Sequence, residues 1–264
     1  MRWVWDYLSK RLEREKLHMI LLDPEKTGTG RAGEIAKMAH EAGSCAIMVG
    51  GSTGGGGALD KMLVEIKSET TLPVILFPSG ASLLSRYADA VYFMSLLNSR
   101  SIRYLIGEQL RGVPFIKRYG IEPIPMGYIV VEPGGRVGEV GNADLIPRDD
   151  VQKAVEYALL AQYMGMKLVY LEAGSGAPEP VPAEMIKTVK ESVSIPLIVG
   201  GGIRSPESAR KAVKAGADII VTGTLIEGGE EVESRLREMV EAIKAEAVVE
   251  RGEGDAPEKR VQPA

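Results

Sequence analysis

The sequence predicts an α/β protein folded as a single (β/α)8 TIM-type barrel. Two observations lead there. Eight short, continuous apolar runs alternate with helical patterns along the chain, and uninterrupted runs of that kind are strands covered on both faces, as in a parallel sheet. The chain has 264 residues, and a closed (β/α)8 barrel takes about 250. A doubly wound open sheet is the competing architecture for the same alternation.

The predicted strands are LHMILLD (17–23), CAIMV (45–49), PVILF (73–77), AVYFM (90–94), IPMGYIVV (124–131), KLVYLE (167–172), IPLIV (195–199) and DIIVT (218–222). Helices are predicted over 31–42, 58–69, 100–110, 149–164, 183–192, 206–215 and 230–246, with a short one near 80–87. Ser205-Pro206-Glu207 is a helix start, with Ser as the cap and Pro at the first helical position. Gly43, Gly165 and Gly216 stand where helices should end. The 78–89 connection is short for a crossover, which predicts a stunted third outer helix. The 132–148 connection is long and Gly-rich, as lids and binding loops are. Trp3, Tyr7 and Leu8 have helical spacing and predict a helix capping the barrel bottom. The domain reading is a barrel with an N-terminal helix over 1–246 and a disordered polar tail over 247–264, whose last residues are rich in Gly, Pro and charge.

Composition narrows the function classes. The net charge of −4 leaves no basic excess to neutralise nucleic-acid phosphates. One cysteine excludes an internal disulfide framework and a cysteine-based zinc cluster, and two histidines disfavour a histidine metal site. No apolar run approaches the roughly 18 residues of a membrane span, and the first residues lack a signal-peptide core. A cytoplasmic protein without a transmembrane segment is expected.

Glycine is the informative excess, at 31 residues against an average of roughly 7%. The seventh predicted strand ends in Gly200-Gly201-Gly202 and the eighth in Thr222-Gly223-Thr224. In barrels these two loops often bind phosphate through backbone N–H groups, and side chains there would hold the phosphate away. The sixth strand ends in Tyr170-Leu171-Glu172-Ala173-Gly174-Ser175-Gly176. A carboxylate at that height can accept hydrogen bonds from the hydroxyls of a small polyol. The first strand ends in Asp23-Pro24-Glu25-Lys26 and the second in Gly50-Gly51-Ser52. Asp23 with Ser52 is a minimal Mg²⁺ pair, since that ion uses one or two protein carboxylates and fills its shell with water and phosphate oxygens. Lys26 adds positive charge there, and the glycines at 54–57 can form an anion nest. The bland alternatives are tight turns for the glycines, a capped turn for Asp23 and a structural ion pair for Glu172. Two phosphorylated substrates with no histidine between them suggest group transfer with diphosphate leaving.

The motifs LDPEK, VGGSTG, FMSLLNS, GYIVVEPGGRVGEVG, YLEAGSG, VGGGIRS and VTGTLIE occur in the order found in the geranylgeranylglyceryl phosphate synthase family. The chain resembles that family from about residue 6 to about 245. The resemblance implies a Mg²⁺-dependent prenyltransferase of ether-lipid synthesis. Its reaction would join the 3-hydroxyl of sn-glycerol 1-phosphate to geranylgeranyl diphosphate. Asp23 and Ser52 would be the Mg²⁺ ligands. Glu172 would orient the attacking hydroxyl, making Asp23 and Glu172 the catalytic pair. Tyr170 through Gly176, Gly201, Gly202, Gly223 and Thr224 would contact the glycerol phosphate. It also implies a homo-oligomer, dimer or hexamer, and a peripheral membrane contact. For the prenyl groove the candidates are Phe77, Tyr92, Phe93, Met94, Leu96, Leu97, Tyr104 and Ile129. The competing functions are another phosphate-binding barrel enzyme, of amino-acid biosynthesis or flavin-dependent, and a non-catalytic barrel that binds a phosphorylated ligand.

Overall fold

The computed structural model describes residues 3–27, 30–50, 57–223 and 231–254. Its strands are β1 (Leu17–Leu22), β2 (Ala46–Val49), β3 (Val74–Leu76), β4 (Ala90–Leu96), β5 (Glu122–Val130), β6 (Leu168–Glu172), β7 (Leu197–Gly200) and β8 (Ile219–Thr222). They close in sequence order into one barrel, with every neighbouring pair parallel. The open-sheet alternative is thereby set aside.

Apolar runs form these strands because both of their faces are covered. Met19, Met48, Ile75, Tyr92, Tyr128, Tyr170, Ile198 and Val221 fill the barrel interior. Alternate residues, such as Ile20, Ile47, Val91, Leu171, Val199 and Ile220, pack outward against the helices. Period-two alternation sets which residues of a strand can reach the central site.

The helices are α1 (Trp3–Leu12), α2 (Pro24–Thr27), α3 (Ala32–Ala42), α4 (Gly57–Glu69), α5 (Glu108–Tyr119), α6 (Gly135–Val140), α7 (Val151–Tyr163), α8 (Ala183–Ser192), α9 (Pro206–Lys214) and α10 (Val232–Gly254). Ser205 caps α9 through a capping box with Ser208. Gly43, Gly165 and Gly216 take the left-handed conformation, at φ 93°, 76° and 105°. The third crossover holds only a single 3-10 turn, Ala81–Leu83, so the third outer helix is indeed stunted.

Four local expectations are corrected. Helix α1 buries Val4 and Leu8, while Trp3 is exposed; its first backbone N–H groups are held by Glu122, as Val4 N–H donates to Oε2 at 2.8 Å and Trp5 N–H to Oε1 at 3.0 Å. The helix expected over 100–110 begins as a π-type turn, Arg103–Gly107, and continues as α5 to Tyr119. The helix passes through Gly112 and Pro114. Packing of Gly112 close to Leu84 and of Ile116 on the core overrides local propensity. The 132–148 connection contains α6 and is fixed in place: Asn98 donates its amide to Val130 O and Asp144 O, at 2.8 and 2.9 Å. Finally, α10 runs to Gly254, beyond the expected end at 246, because Ala and Glu continue the helix until Gly252 and Gly254.

Candidate active site

A cavity of about 690 Å³ opens at the C-terminal mouth of the barrel. Its polar residues come from neighbouring strand ends: Glu172 and Ser175 after β6, Gly223 after β8, and Asp23 and Lys26 after β1. Its apolar part comes from β3, β4 and α5, with Phe77, Phe93, Met94, Gly112 and Ile116. The missing third helix lets α5 approach this side of the barrel. One continuous space therefore joins a polar half to an apolar half.

Glu172 is the central polar group. It ends β6 facing inward and is buried. Its Oε1 accepts the Gly174 N–H at 2.7 Å, a contact that requires the chain to turn at Gly174, where φ is 100°. A Cβ on Gly174 would lie 2.6 Å from the Gly134 backbone. Burial pushes the Glu172 carboxyl above the usual carboxylate range; the Gly174 N–H and the neighbouring Tyr170 and Tyr128 hydroxyls oppose the rise without cancelling it. Both tyrosine hydroxyls are held well above their usual range, first by burial and then by the Glu172 charge.

Below Glu172 lies an aromatic floor. Phe77 stacks on Tyr170 with ring centroids 5.6 Å apart, and Tyr128 meets each of them edge-on at 5.2 Å. The Tyr170 hydroxyl is buried without a hydrogen-bond partner among the described residues. It lies beside Glu172 without a well-formed hydrogen bond, so a bound polar group can take it as a donor.

Loop glycines shape the rim. A Cβ on Gly201, at φ 79°, would run into Glu172 Oε1, so this glycine makes room for the carboxylate. Gly202, at φ 72°, is different: its Cβ would meet the Glu179 carbonyl carbon at 2.6 Å. Gly202 thus permits two loops to touch. Two arginines brace the β6 loop. Arg204 donates to Gly176 O and to Ala177 O, the latter at 2.8 Å, and Arg148 donates to Pro180 O at 2.9 Å.

For a divalent cation the local donor is Asp23. Its Oδ1 accepts the Glu25 N–H at 2.9 Å, which caps α2 and leaves a second carboxylate oxygen in the chemistry of the group. Among the described residues no three His, Cys, Asp or Glu side chains gather into a metal site. One carboxylate completed by substrate oxygens fits Asp23 better than an all-protein cage does.

The structure brings Asp23, Lys26, Glu172, Ser175 and Gly223 to one cavity. Ser52 and Thr224 lie outside the described residues. Tyr170 sits beneath the cavity in the barrel interior. The Leu171 and Ala173 side chains face the strand–helix layer. Their backbones are also engaged, since Ala173 N–H donates to Gly200 O and Ala173 O accepts from Gly134 N–H. Of the groove candidates, Phe77, Tyr92, Phe93, Met94, Leu96 and Tyr104 line the cavity, whereas Leu97 and Ile129 pack outward. Residues missed from sequence include Gln109 and Arg136, which line the cavity, and Arg204. Arg136 and Arg204 left a trace, as parts of GYIVVEPGGRVGEVG and VGGGIRS.

These features define a (β/α)8 barrel whose candidate site lies at the C-terminal mouth, where barrel enzymes place their chemistry. Residues 10–243 match the PcrB family, and the chain belongs to that family. It is 58% identical over 238 residues to the geranylgeranylglyceryl phosphate synthase of Thermococcus kodakarensis, covering 90% of this chain and 94% of the relative. It is 55% identical over 239 residues to that of Pyrococcus horikoshii, with 90% and 94% covered. Among solved structures it is similar to (S)-3-O-geranylgeranylglyceryl phosphate synthase from Thermoplasma acidophilum in complex with its substrate sn-glycerol-1-phosphate. That likeness has a TM-score of 0.89 at 47% identity and covers 92% of this chain and 98% of the other.

Proposed function

We propose that this chain is a Mg²⁺-dependent prenyltransferase that makes geranylgeranylglyceryl phosphate, the ether-bond step of phospholipid synthesis. The observation that carries the reading is the single cavity in which the buried Glu172 and the Asp23–Lys26 turn adjoin an apolar half. The relatives' activity and the glycerol-phosphate complex of the Thermoplasma acidophilum protein support it.

In the proposed reaction the glycerol 3-hydroxyl oxygen forms a bond to the first carbon of the allylic chain. The bond from that carbon to diphosphate breaks, and its electron pair leaves on the diphosphate. The hydroxyl proton passes to a Glu172 carboxylate oxygen. Glu172 suits this work because burial raises its proton affinity and the Gly174 N–H fixes its orientation. Breaking of the allylic bond leads, so positioning and charge stabilisation supply most of the rate. Asp23 and Ser52 would hold Mg²⁺, which would supply positive charge for the departing diphosphate when bound. Lys26 adds charge on the same side, and the apolar half of the cavity, around Phe93 and Met94, shelters the prenyl chain from water.

Calorimetry of sn-glycerol 1-phosphate binding tests Glu172. Glu172→Gln should weaken binding by about 1.5–3 kcal/mol, the value of charge-assisted hydrogen bonds. Wild-type turnover should also rise as pH passes upward through the raised Glu172 pKa and creates the accepting carboxylate, while the residual turnover of Glu172→Gln should not. Unchanged affinity together with an unchanged pH profile would remove Glu172 from the acceptor site.

A further inference from the structure

Helix α5 and the π-type turn before it leave an apolar stripe bare. Ile102 is 72% exposed and Leu110 73%, and Ile106 and Val113 between and beyond them are exposed too. Steps of four, four and three residues put these side chains on one helical face. The opposite face, with Tyr104, Glu108, Gly112 and Ile116, lines the cavity. The same segment is thus a wall of the cavity on one side and an uncovered apolar ridge on the other. Val140, also exposed, belongs to the cavity lining next to Val137 and Gly141.

The charge around the ridge is not that of the whole molecule. Residues 100–119 carry Arg100, Arg103, Arg111, Lys117 and Arg118 against a single carboxylate, Glu108, in a chain of net charge −4. Glu108 is buried and accepts hydrogen bonds from Arg103 at 2.7 Å and Arg111 at 2.9 Å. Arg100 pairs with Asp144, which also takes Lys153. Arg103 and Arg111 remain largely exposed despite their pairing. An apolar ridge flanked by cations is the pattern of a helix lying in the interface of an anionic bilayer.

We propose that the Ile102–Val113 ridge seats this protein on the surface of an anionic phospholipid bilayer, with the cavity directly behind α5. Charge selects this occupant. A second copy of the chain packed ridge to ridge about a two-fold axis would bring the cations flanking the two ridges together, whereas anionic headgroups neutralise them. The docking surface stands on exposure and charge alone. Its purpose, exchange of an amphiphilic substrate and product with the membrane, rests on the proposed reaction.

Co-sedimentation of the full chain with phosphatidylcholine vesicles, with and without phosphatidylglycerol, tests the proposal. The protein should bind only the vesicles containing phosphatidylglycerol, and raised salt should release it. Ile102→Ser with Leu110→Ser should cut bound protein by roughly tenfold, and Lys117→Ala or Arg118→Ala by about fivefold per charge. Prenyl transfer from a short, water-soluble allylic diphosphate in vesicle-free buffer should be unchanged in the Ser variant. That control separates failure of docking from failure of the proposed reaction. Absence of binding to phosphatidylglycerol vesicles, or equal binding by the Ser variant, would overturn the proposal. So would light scattering in which the Ser substitutions convert a dimer to a monomer, which would make the ridge an interface between copies of this chain.

Discussion

Two carboxylates divide the work proposed for this cavity, and their surroundings separate them. Glu172 is enclosed, and burial raises its affinity for a proton. Asp23 stands at a helix start with one oxygen engaged by the Glu25 N–H. Asn caps a helix about as well as Asp does, so Asp23→Asn keeps the turn and removes only the charge. At limiting Mg²⁺ the variant should lose at least about tenfold in turnover, since a metal contributes several kcal/mol to charge stabilisation, with its circular dichroism unchanged. Wild-type turnover at limiting Mg²⁺ would refute Asp23 as a metal ligand. Glu172 was legible in the sequence because a carboxylate at a strand end has few structural uses. The Gly202 contact was not legible: its partner, the Glu179–Pro180 backbone, is 22 to 23 residues away and is brought near by the pairing of β6 with β7. A side chain at Gly202 is therefore a fault in loop packing before it is a fault in phosphate binding.

At the level of elements, apolar continuity located the eight strands to within a few residues, because burial on two faces leaves so little freedom of composition. Helix ends were less legible. Gly43, Gly165 and Gly216 marked real ends through their positive φ, whereas Gly112 lies inside α5, in close approach to Leu84. The inward or outward sense of residues in YLEAGSG was missed because the motif was taken as a block. Strand alternation already separates Tyr170 and Glu172 from Leu171 and Ala173. The buried Glu122 helps to hold helix α1 to the barrel bottom, accepting both the Val4 and Trp5 N–H groups, beside the Tyr7 hydroxyl that donates to Cys45 O. Glu122→Ala leaves those donors without this acceptor and should cost about 1–3 kcal/mol. Thermal unfolding should show this as a fall of roughly 2–4 °C per kcal/mol in a chain of this size. An unchanged midpoint would mean that Val4 and Leu8 packing and the Tyr7–Cys45 hydrogen bond hold α1 without Glu122.

Across the whole molecule, barrel closure creates both the cavity and a pH liability. His18 on β1 is buried between Ser44 and Thr222, at 2.8 Å from each hydroxyl, and so joins the starts and ends of neighbouring strands. Burial pushes its pKa down to about 3, against about 6.5 in an unfolded chain. Between these values the unfolded state binds a proton that the folded state refuses. Stability therefore falls as pH drops from about 6.5 toward 3, by up to about 1.4 kcal/mol per pH unit from this group. His18→Asn should be less stable at neutral pH and should lose that part of the acid slope in denaturant titrations. An equal slope in both proteins would show that His18 is protonated in the fold. The fold class followed from chain length and alternation, and the polar half of the cavity from strand ends. The apolar wall from α5 could not be read, since Gln109, Gly112 and Ile116 meet β4 only because the third crossover is a single turn. The most direct test of the central claim is incubation of the protein with sn-glycerol 1-phosphate, geranylgeranyl diphosphate and Mg²⁺, with products identified by mass. Geranylgeranylglyceryl phosphate and free diphosphate should appear in equal amounts. Diphosphate released with geranylgeraniol alone, or no consumption of either substrate by folded protein, would contradict the proposed transfer.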